Sequence, residues 1–328
     1  MPCWSALVAL ALIACRNDPS GAELDRLRAE AIAANAELKA KIPDETEGYT
    51  LTVSGQIRKP GAKLHWTDLQ QLGKTHVKTI NIQNADKKAP TDFRGLLVRD
   101  VLERFDAAPE ATEATFVAID GFRATVQIVD ARTYRMLLAI EADGEPINRT
   151  SGGPIFLVHP FSENGADLTS KYPDRFWAFY VTHVVVGTEE PRLAIDGHVL
   201  DRAALDKLAP TTLDGAIGWK VDWPAGSVHL RGVALVDAIA AAGVKLPASG
   251  RIVIRGKAPI HSDPAKPISI AITDLGRCKP VLALRWGPDE QPISAKLGGP
   301  IALAVTPCGE ANEKLWITFV EQIIVEPM

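Results

Sequence analysis

The two halves of this chain carry one sequence pattern twice, in the same order. Phe93-Arg94-Gly95 and the apolar stretch after it recur as Leu230-Arg231-Gly232 with a similar stretch, 137 residues later. Gly152-Gly153-Pro154 recurs as Gly298-Gly299-Pro300 after 146 residues. Offsets that drift by only a few residues, in unchanged order, indicate a tandem duplication with small insertions in loops. We therefore expect a fold that is built twice from about half of the chain.

The pattern delimits two repeats. Repeat 1 is predicted to span residues 49–188, and repeat 2 is predicted to span residues 189–328. In each repeat, short β-branched or aromatic runs are bounded by Gly, Pro and Asp and are interrupted by one or two helices. The predicted fold class is therefore α+β, mostly β. The polar link Thr188–Pro191 is short, which favours two domains that pack against each other.

Two helices are predicted in each repeat. The first is expected at residues 66–72, with a counterpart at 201–208. The second is expected within the matching blocks 93–102 and 230–239, where the apolar spacing predicts an amphipathic helix after an Arg-Gly turn.

The composition excludes several function classes. Hydrophobic residues make up 46% and charged residues 23%, which is ordinary for a globular protein. The chain has 40 acidic and 36 basic residues, so it lacks the strong basic excess expected of a nucleic-acid-binding protein. Four cysteines in 328 residues are too few for a scaffold held together by disulfides.

An apolar run, Trp4–Ala14, leads directly to Cys15. The run is shorter than the roughly 20 residues of a membrane-spanning helix, and it fits the hydrophobic region of a secretory signal. Leu12-Ile13-Ala14-Cys15 resembles the cleavage site of bacterial lipoproteins, in which the cysteine is lipidated. The resemblance implies a signal peptide at 1–14 and a lipid on Cys15, facing the periplasm. Arg16 after the cysteine favours sorting to the outer membrane. A buried N-terminal helix or strand is the alternative.

Residues 15–48 are predicted to form the lipid anchor and a helical spacer. One face of the predicted helix collects the apolar residues Leu24, Leu27, Ala31, Ala34 and Leu38. Pro43 ends this helix. The helix either separates the anchor from the body or docks on the body. A coiled coil is the weakest alternative, because two apolar heptads are fewer than such a seam needs.

An ordered set of short motifs runs through repeat 1. It consists of Ser54-Gly55, Pro60, Leu64, Asp68-Leu69, Phe93, Gly95, Asp100, Leu102, Asp120-Gly121-Phe122, Leu138-Ala139, Asp143-Gly144-Glu145-Pro146, Gly153-Pro154 and Trp177. Repeat 2 carries a thinner version of the same set. In this order, the motifs resemble the oxidoreductase molybdopterin-binding domain of the sulfite oxidase fold. The resemblance implies that fold for both repeats, and molybdopterin as the cofactor of an oxidoreductase.

The resemblance also implies cofactor-binding residues that this sequence lacks. In the family, a cysteine thiolate ligates molybdenum from the strand before the central helix, and a soft thiolate is hard to replace there. The matching segments, 79–86 in repeat 1 and 218–223 in repeat 2, contain no cysteine. The family's phosphate-binding Arg and a family Lys are apolar here: Phe156 and Ala302 stand for the Arg, and Phe176 and Leu315 for the Lys.

Other groups of repeat 1 could still hold an anionic ligand. The candidate pocket consists of Asn84, Arg94, Asp120, Gly152, Gly153 and Lys171, with Arg123 and Arg175 as further cations. Backbone amides of a Gly-Gly-Pro segment can cradle an anion, although such a segment is more often a simple turn. Exposed Arg and Lys are also the default on any protein surface. Binding of molybdopterin, or of another small anionic ligand, therefore stays open.

The cysteines and histidines of the two repeats point to structural roles. Cys278 and Cys308 are predicted to pair as a disulfide in an oxidising periplasm, with two buried free thiols as the alternative. None of the seven histidines has the local spacing of a metal site. His159 and His183 are predicted to be hydrogen-bonded structural residues.

Two functions follow from these observations. The first is a non-catalytic binding or assembly module, anchored to the membrane by lipid, that offers surfaces to a periplasmic protein partner or a small ligand. The second is an oxidoreductase with an atypical molybdopterin site in repeat 1. The missing metal-ligating cysteine favours the first.

Overall fold

Strands make up most of the regular secondary structure in the described part of repeat 1. In the computed structural model, strand β1 (Thr50–Gly55) buries Leu51 and Val53 and leaves Thr52 partly exposed, since alternate side chains of a strand face opposite sides. The structure describes residues 46, 48–59, 62–83, 89–173, 177–216, 222–224, 226–257, 268–305 and 316–328. The further strands of repeat 1 are β2 (Ala62–His65), β3 (Thr75–Ile80), β4 (Pro90–Leu97), β5 (Glu113–Ala118), β6 (Arg123–Gln127), β7 (Leu137–Ala142), β8 (Glu145–Pro146), β9 (Phe156–Val158) and β10 (Val181–Val186).

Four helices connect these strands. They are α1 (Trp66–Leu72), α2 (Val98–Arg104), α3 (Ile128–Thr133) and α4 (Phe161–Lys171). Helix α1 begins where the backbone N–H of His65 donates to Asp68 Oδ2 at 2.9 Å, and it ends at Gly73. His65 and Asp68 form a capping box, in which each residue satisfies a backbone donor of the other. Such a cap pairs donors that the first helical turn leaves without partners. The helix predicted at 66–72 is confirmed.

Two sheets form repeat 1. The first sheet has the order β2-β1-β10-β5-β6, and the second has the order β3-β4-β7-β8 with β9 also paired to β7. Strands β1 and β10 are parallel, whereas the other pairs are antiparallel. The hydrophobic core contains residues of both sheets and of the helices.

The predicted Arg-Gly turn at Arg94-Gly95 is wrong. Both residues lie inside β4, where the pairing with β7 shifts register between them. A Cβ at Gly95 would collide with the carbonyl oxygen of Leu138, so glycine permits the close approach of the two strands. The amphipathic helix begins later than predicted, at Val98, and is α2.

The described part of repeat 2 contains ten strands that correspond to those of repeat 1. They are β11 (Arg192–Ile195), β12 (His198–Asp201), β13 (Pro210–Ala216), β14 (Ser227–Ala234), β15 (Gly250–Gly256), β16 (Ser269–Ala271), β17 (Val281–Trp286), β18 (Gln291–Pro292), β19 (Ala302–Ala304) and β20 (Val320–Pro327). Its described helices are α5 (Arg202–Leu205), α6 (Leu235–Ala241) and α7 (Leu275–Cys278). Helix α5 is therefore shorter than the predicted 201–208.

The two repeats share one strand order. In repeat 2 the sheets run β12-β11-β20-β15-β16 and β13-β14-β17-β18, with β19 paired to β17. The register shift after Arg94 recurs after Arg231. The peptide bonds before Pro154 and Pro300 are both cis. The predicted class, α+β and mostly β with a duplicated unit, is confirmed.

The repeats pack on each other through a small apolar cluster. It contains Val117 and Val185 of the first sheet of repeat 1 and Ala295 and Phe319 of repeat 2. Residues Thr46–Met328 accordingly form one compact unit. The predicted domain limits 49–188 and 189–328 fall within this unit and stay a prediction.

The link between the repeats is fixed by ion pairs. Lys257 lies with its Nζ 3.1 Å from Glu189 Oε2 of the link and 2.6 Å from Glu321 Oε1 of β20. The lysine side chain is almost fully buried. Burial alone would lower its pKa, but the two carboxylates outweigh burial and raise the pKa of Lys257.

The N-terminal predictions concern residues that the structure does not describe. The signal peptide at 1–14, Cys15 and the spacer helix after it all lie outside the described ranges. Within those ranges, none of the helices combines the length and apolar character needed to cross a bilayer.

Candidate functional site

The Gly-Gly-Pro segment of repeat 1 ends a short 3-10 turn at Arg149–Ser151. Asn148 caps this turn, because its Oδ1 accepts a hydrogen bond of 2.9 Å from the backbone N–H of Ser151. Gly152 has φ +86°, a left-handed conformation that favours glycine. A Cβ at Gly153 would collide with the carbonyl oxygen of Ile147. The local backbone therefore explains both glycines without a ligand.

The amides of these two glycines are already used. The Gly152 N–H donates to the Arg149 carbonyl at 2.9 Å, and the Gly153 N–H donates to the Asn148 carbonyl at 2.8 Å. An anion cradle needs amides that point outward and lack a partner. The interpretation of this segment as a turn is therefore better supported than the interpretation as an anion site.

Phe156 stands where the resemblance implies a phosphate-binding Arg. Its side chain is 2% exposed, and its ring packs edge-on against Phe179 with 4.8 Å between the centroids. Its ring also lies against Gly152. An apolar residue packed into the core at this position cannot supply a charge-assisted hydrogen bond to a phosphate.

Arg94 is held in an ion pair. Its Nε donates to Glu141 Oε2 at 2.5 Å, and a second nitrogen contacts the other carboxylate oxygen. A further nitrogen donates to the Gly73 carbonyl at 2.5 Å. The hydrogen bonds with Glu141 raise the pKa of Arg94 and lower the pKa of Glu141. Arg94 thus ties the end of α1 to the second sheet.

Lys171 is also engaged. Its Nζ lies 2.8 Å from Asp130 Oδ1, and the Tyr172 hydroxyl donates to Asp130 Oδ2 at 2.7 Å. Burial alone would raise the pKa of Asp130, but the hydrogen bonds from Lys171 and Tyr172 outweigh burial and lower it. The cluster joins α4 to α3.

Two further candidates, Asp120 and Arg123, are each held by a contact of their own. Asp120 Oδ1 accepts a 2.9 Å hydrogen bond from the Phe122 N–H and so shapes the turn between β5 and β6. Arg123 is buried and its Nε donates to the Lys296 carbonyl of repeat 2 at 2.6 Å. Asn84 and Arg175 lie outside the described residues. The cofactor roles of all these residues stay predictions.

An aromatic cluster lies between α4 and Trp177. The His159 ring is fully buried and stacks on Phe161 and Tyr172, with centroids 5.6 and 5.2 Å away. Thr79 Oγ1 donates to the His159 carbonyl at 3.2 Å. These contacts agree with a structural role for His159. His183 Nδ1 lies 2.9 Å from Thr182 Oγ1.

The described residues do not fit a molybdopterin cofactor. Cysteines occur only at positions 3, 15, 278 and 308, so repeat 1 has no thiolate for the metal. The amides and side chains discussed above are bonded within the protein. In the described part of the chain, no three His, Cys, Asp or Glu residues lie close enough to hold a metal ion. We derive no chemistry through this cofactor.

The matching turn of repeat 2 is closed by repeat 1. The Gly298 and Gly299 amides make the same turn hydrogen bonds, to Ala295 at 2.9 Å and Ser294 at 2.8 Å. Ala295 and Phe319 are buried in the cluster shared with repeat 1. A cleft of about 290 Å³ beside them is lined by Lys257, whose charge Glu189 and Glu321 already balance.

Sequence reasoning missed the partners of the basic residues. Glu141 and Asp130 were not among the candidates, although they decide what Arg94 and Lys171 do. Glu141 is paired to Arg94 by the register of β4 and β7, and a sequence pattern does not give that register. Trp223 lies in the core of repeat 2, with its Nε1 donating to the Leu297 carbonyl at 2.8 Å.

Cys278 is buried at the end of α7. Its predicted partner, Cys308, lies outside the described residues. The disulfide between them therefore stays a prediction.

Comparisons with known proteins place repeat 1 near one family. The model of the oxidoreductase molybdopterin binding domain matches residues 39–166, which supports the resemblance for that part of the chain. The match does not extend into repeat 2. No curated protein matches the chain.

A solved structure, the sulfane dehydrogenase SoxCD from Paracoccus pantotrophus, is similar at 11% identity. The match covers 85% of this chain and 79% of that chain, with a TM-score of 0.36. A TM-score of this size is too low to assign a fold or a function.

Proposed function

We propose that the protein is a non-catalytic binding or assembly module, anchored by lipid on Cys15 to the periplasmic face of the bacterial outer membrane. In this proposal the molybdopterin-binding type of domain is retained as a scaffold. Its two copies offer surfaces to a periplasmic protein or a small ligand.

One observation carries the proposal. The position that matches the family's phosphate-binding Arg is Phe156, which is packed in the core against Phe179 and Gly152. Replacing a charge by a packed phenyl ring removes a ligand contact and adds core stability. The missing thiolate in repeat 1 points the same way.

The alternative is a molybdopterin-dependent oxidoreductase with an atypical site in repeat 1. The family match over residues 39–166 favours it. It requires a molybdenum site without thiolate ligation in the predicted pocket of repeat 1, which includes Asn84.

The two candidate functions predict different molybdenum contents for the purified protein. The full chain would be purified from a host that makes the cofactor and is supplied with molybdate. Molybdenum would be measured by mass spectrometry, and released pterin by fluorescence after denaturation and oxidation. We expect far less than one molybdenum per chain and no pterin signal. A stoichiometric content of both would overturn the proposal.

The anchor is tested separately. The wild-type chain should incorporate labelled palmitate and sediment with outer-membrane fractions, because several acyl chains on one residue bind a bilayer stably. The Cys15→Ala variant should lose both properties. Equal labelling and sedimentation of the variant would refute lipidation at Cys15.

A further inference from the structure

Repeat 2 contains a cleft of about 460 Å³ between α5 and its second sheet. Its floor includes the buried apolar side chains of Leu205, Val233 and Leu284. This volume lies in the range of small-molecule sites, which is roughly 300–1,000 Å³.

The matching place in repeat 1 is bridged. There Arg94 donates to the Gly73 carbonyl at the end of α1 and pairs with Glu141 of β7. A Cβ at Gly73 would lie 2.9 Å from Leu96 and 3.1 Å from Ile140, so the end of α1 packs tightly on the sheet. In repeat 2 the helix is only four residues long.

At one matching position the two repeats carry side chains of opposite charge, and this position lies at the cleft. Register places Arg94 beside Glu141 in repeat 1 and Arg231 beside Arg285 in repeat 2. Arg231 instead pairs with Glu290, at 2.6 and 2.5 Å from one guanidinium nitrogen to the two carboxylate oxygens. Repeat 2 thus has a second arginine where repeat 1 has a carboxylate.

The arginines around the cleft outnumber the carboxylates that pair with them by one. Glu290 balances Arg231, and Arg202 balances Asp206 with 2.7 Å between Nε and Oδ2. Arg285 donates to the neutral Glu290 carbonyl at 3.2 Å. Its charge acts on the Glu290 carboxylate that Arg231 already binds, and in the described part of the chain no second carboxylate forms an ion pair with it. A guanidinium above an apolar floor favours a ligand with one carboxylate and an apolar body.

We propose that this cleft of repeat 2 binds a small monocarboxylate, with Arg285 pairing with its carboxylate and the floor at Leu205, Val233 and Leu284 burying its apolar part. This inference rests on the proposed binding function and assigns it a site. The metal assay tests repeat 1 and the binding assay tests repeat 2, so a failure of one proposal can be distinguished from a failure of the other.

The test is calorimetric titration of the full chain with acetate, butyrate and hexanoate. We expect hexanoate to bind with a Kd on the order of millimolar or tighter. Affinity should rise about fourfold for each added methylene that reaches the floor. Hexylamine, which has the same apolar chain and the opposite charge, should not bind.

Three variants locate the site. Arg285→Gln should weaken hexanoate binding about tenfold or more, because it removes a charge-assisted hydrogen bond, and Arg285→Lys should restore part of the affinity. Arg285→Glu, which installs the residue type of repeat 1, should abolish binding. Arg251→Gln is the matched control, since Arg251 is an exposed arginine of β15 paired with Glu326.

Circular dichroism and thermal melts would establish that each variant folds. Three results would overturn the proposal: no heat with hexanoate at about 20 times the expected Kd, equal affinity for acetate and hexanoate, or an unchanged Kd in Arg285→Gln. A loss of affinity in Arg251→Gln as large as in Arg285→Gln would also overturn it, because the effect would then be one of overall charge.

Discussion

The same Gly-Gly-Pro turn lies in two different surroundings. In repeat 2 it is buried, because Ala295 and Phe319 beside it pack on Val117 and Val185 of repeat 1. In repeat 1 the matching Arg149 and Tyr180 are only partly buried, and the Arg149 guanidinium lies over the Tyr180 ring at 5.3 Å. Packing one copy on the other therefore closes one turn and leaves the other accessible.

This comparison shows how a duplicated unit acquires different surfaces. The backbone of the turn is the same in both copies, down to the positive φ of Tyr180 and Phe319. The difference lies in the side chains and in the neighbouring sheet. A contact of unlike surfaces between two like units involves only one copy of each surface.

The largest effect is expected at the packed turn. Phe319→Ala should lower the free energy of unfolding by about 3–5 kcal/mol, because it removes a fully buried ring from the inter-repeat cluster. Tyr180→Ala at the matching position of repeat 1 is the control and should lose only about 1–2 kcal/mol. Urea unfolding followed by fluorescence measures both. Equal losses would contradict the difference in burial.

The predicted Cys278–Cys308 disulfide would stabilise repeat 2 alone, since repeat 1 has no cysteine. Reduction should cost roughly 3 kcal/mol, from the entropy of the loop of about 30 residues in the unfolded chain. The measurement is urea unfolding with and without reductant. Free thiols from these two residues in the denatured, unreduced Cys15→Ala protein would contradict the pairing.

Acid should destabilise repeat 1 through His183. Burial, assisted by Lys257 and Lys63 against Glu189, lowers the pKa of His183 from 6.5 to about 4. Between these values the unfolded state binds the proton and the folded state does not, so stability falls as the pH falls. The loss should be about 2 kcal/mol between neutral pH and about pH 5.

The control for His183 comes from repeat 2. Gln322 lies at the matching position of β20, so His183→Gln gives repeat 1 the residue of repeat 2. The variant should lose less stability on acidification than the wild type. If both proteins show the same dependence of unfolding free energy on pH, this role of His183 is refuted.

The smallest effect is expected at the paired arginines. Arg94→Gln should cost about 1–2 kcal/mol, because it leaves the half-buried Glu141 carboxylate and the Gly73 carbonyl without their donor. Arg231→Gln should cost less, because Arg231 and Glu290 are more exposed than Arg94 and Glu141. Urea midpoints compare the two. A larger loss of unfolding free energy in Arg231→Gln than in Arg94→Gln would contradict the prediction.

Much of the fold could be predicted from local patterns. Helix α1 was predicted from a helix-like segment at residues 66–72 that recurs in repeat 2, and the fold class from the bounded β-branched runs. The Arg94-Gly95 turn was mispredicted because a bulge in β4 and a turn favour the same dipeptide. Only the close approach of the Leu138 carbonyl to Gly95 shows that the dipeptide lies in a bulge and not in a turn.

The candidate site was less predictable, because its residues were chosen by charge. Arg94, Lys171 and Arg123 were chosen as cations near a presumed pocket. Each has a partner supplied by an element distant in sequence: Glu141 for Arg94, Asp130 for Lys171 and the Lys296 carbonyl for Arg123. Long-range pairing of this kind cannot be derived from composition or spacing.

The sequence by itself determined that one unit occurs twice and that repeat 1 contains no cysteine, since both are properties of residue order and type. The tertiary structure decided which charges are balanced and which turn is covered. Strand register places Glu141 beside Arg94 but Arg285 beside Arg231, and packing of the repeats buries Phe319 but leaves Tyr180 partly exposed. Two similar local sequences thus differ in burial and in charge balance, because both depend on neighbours that are distant in sequence.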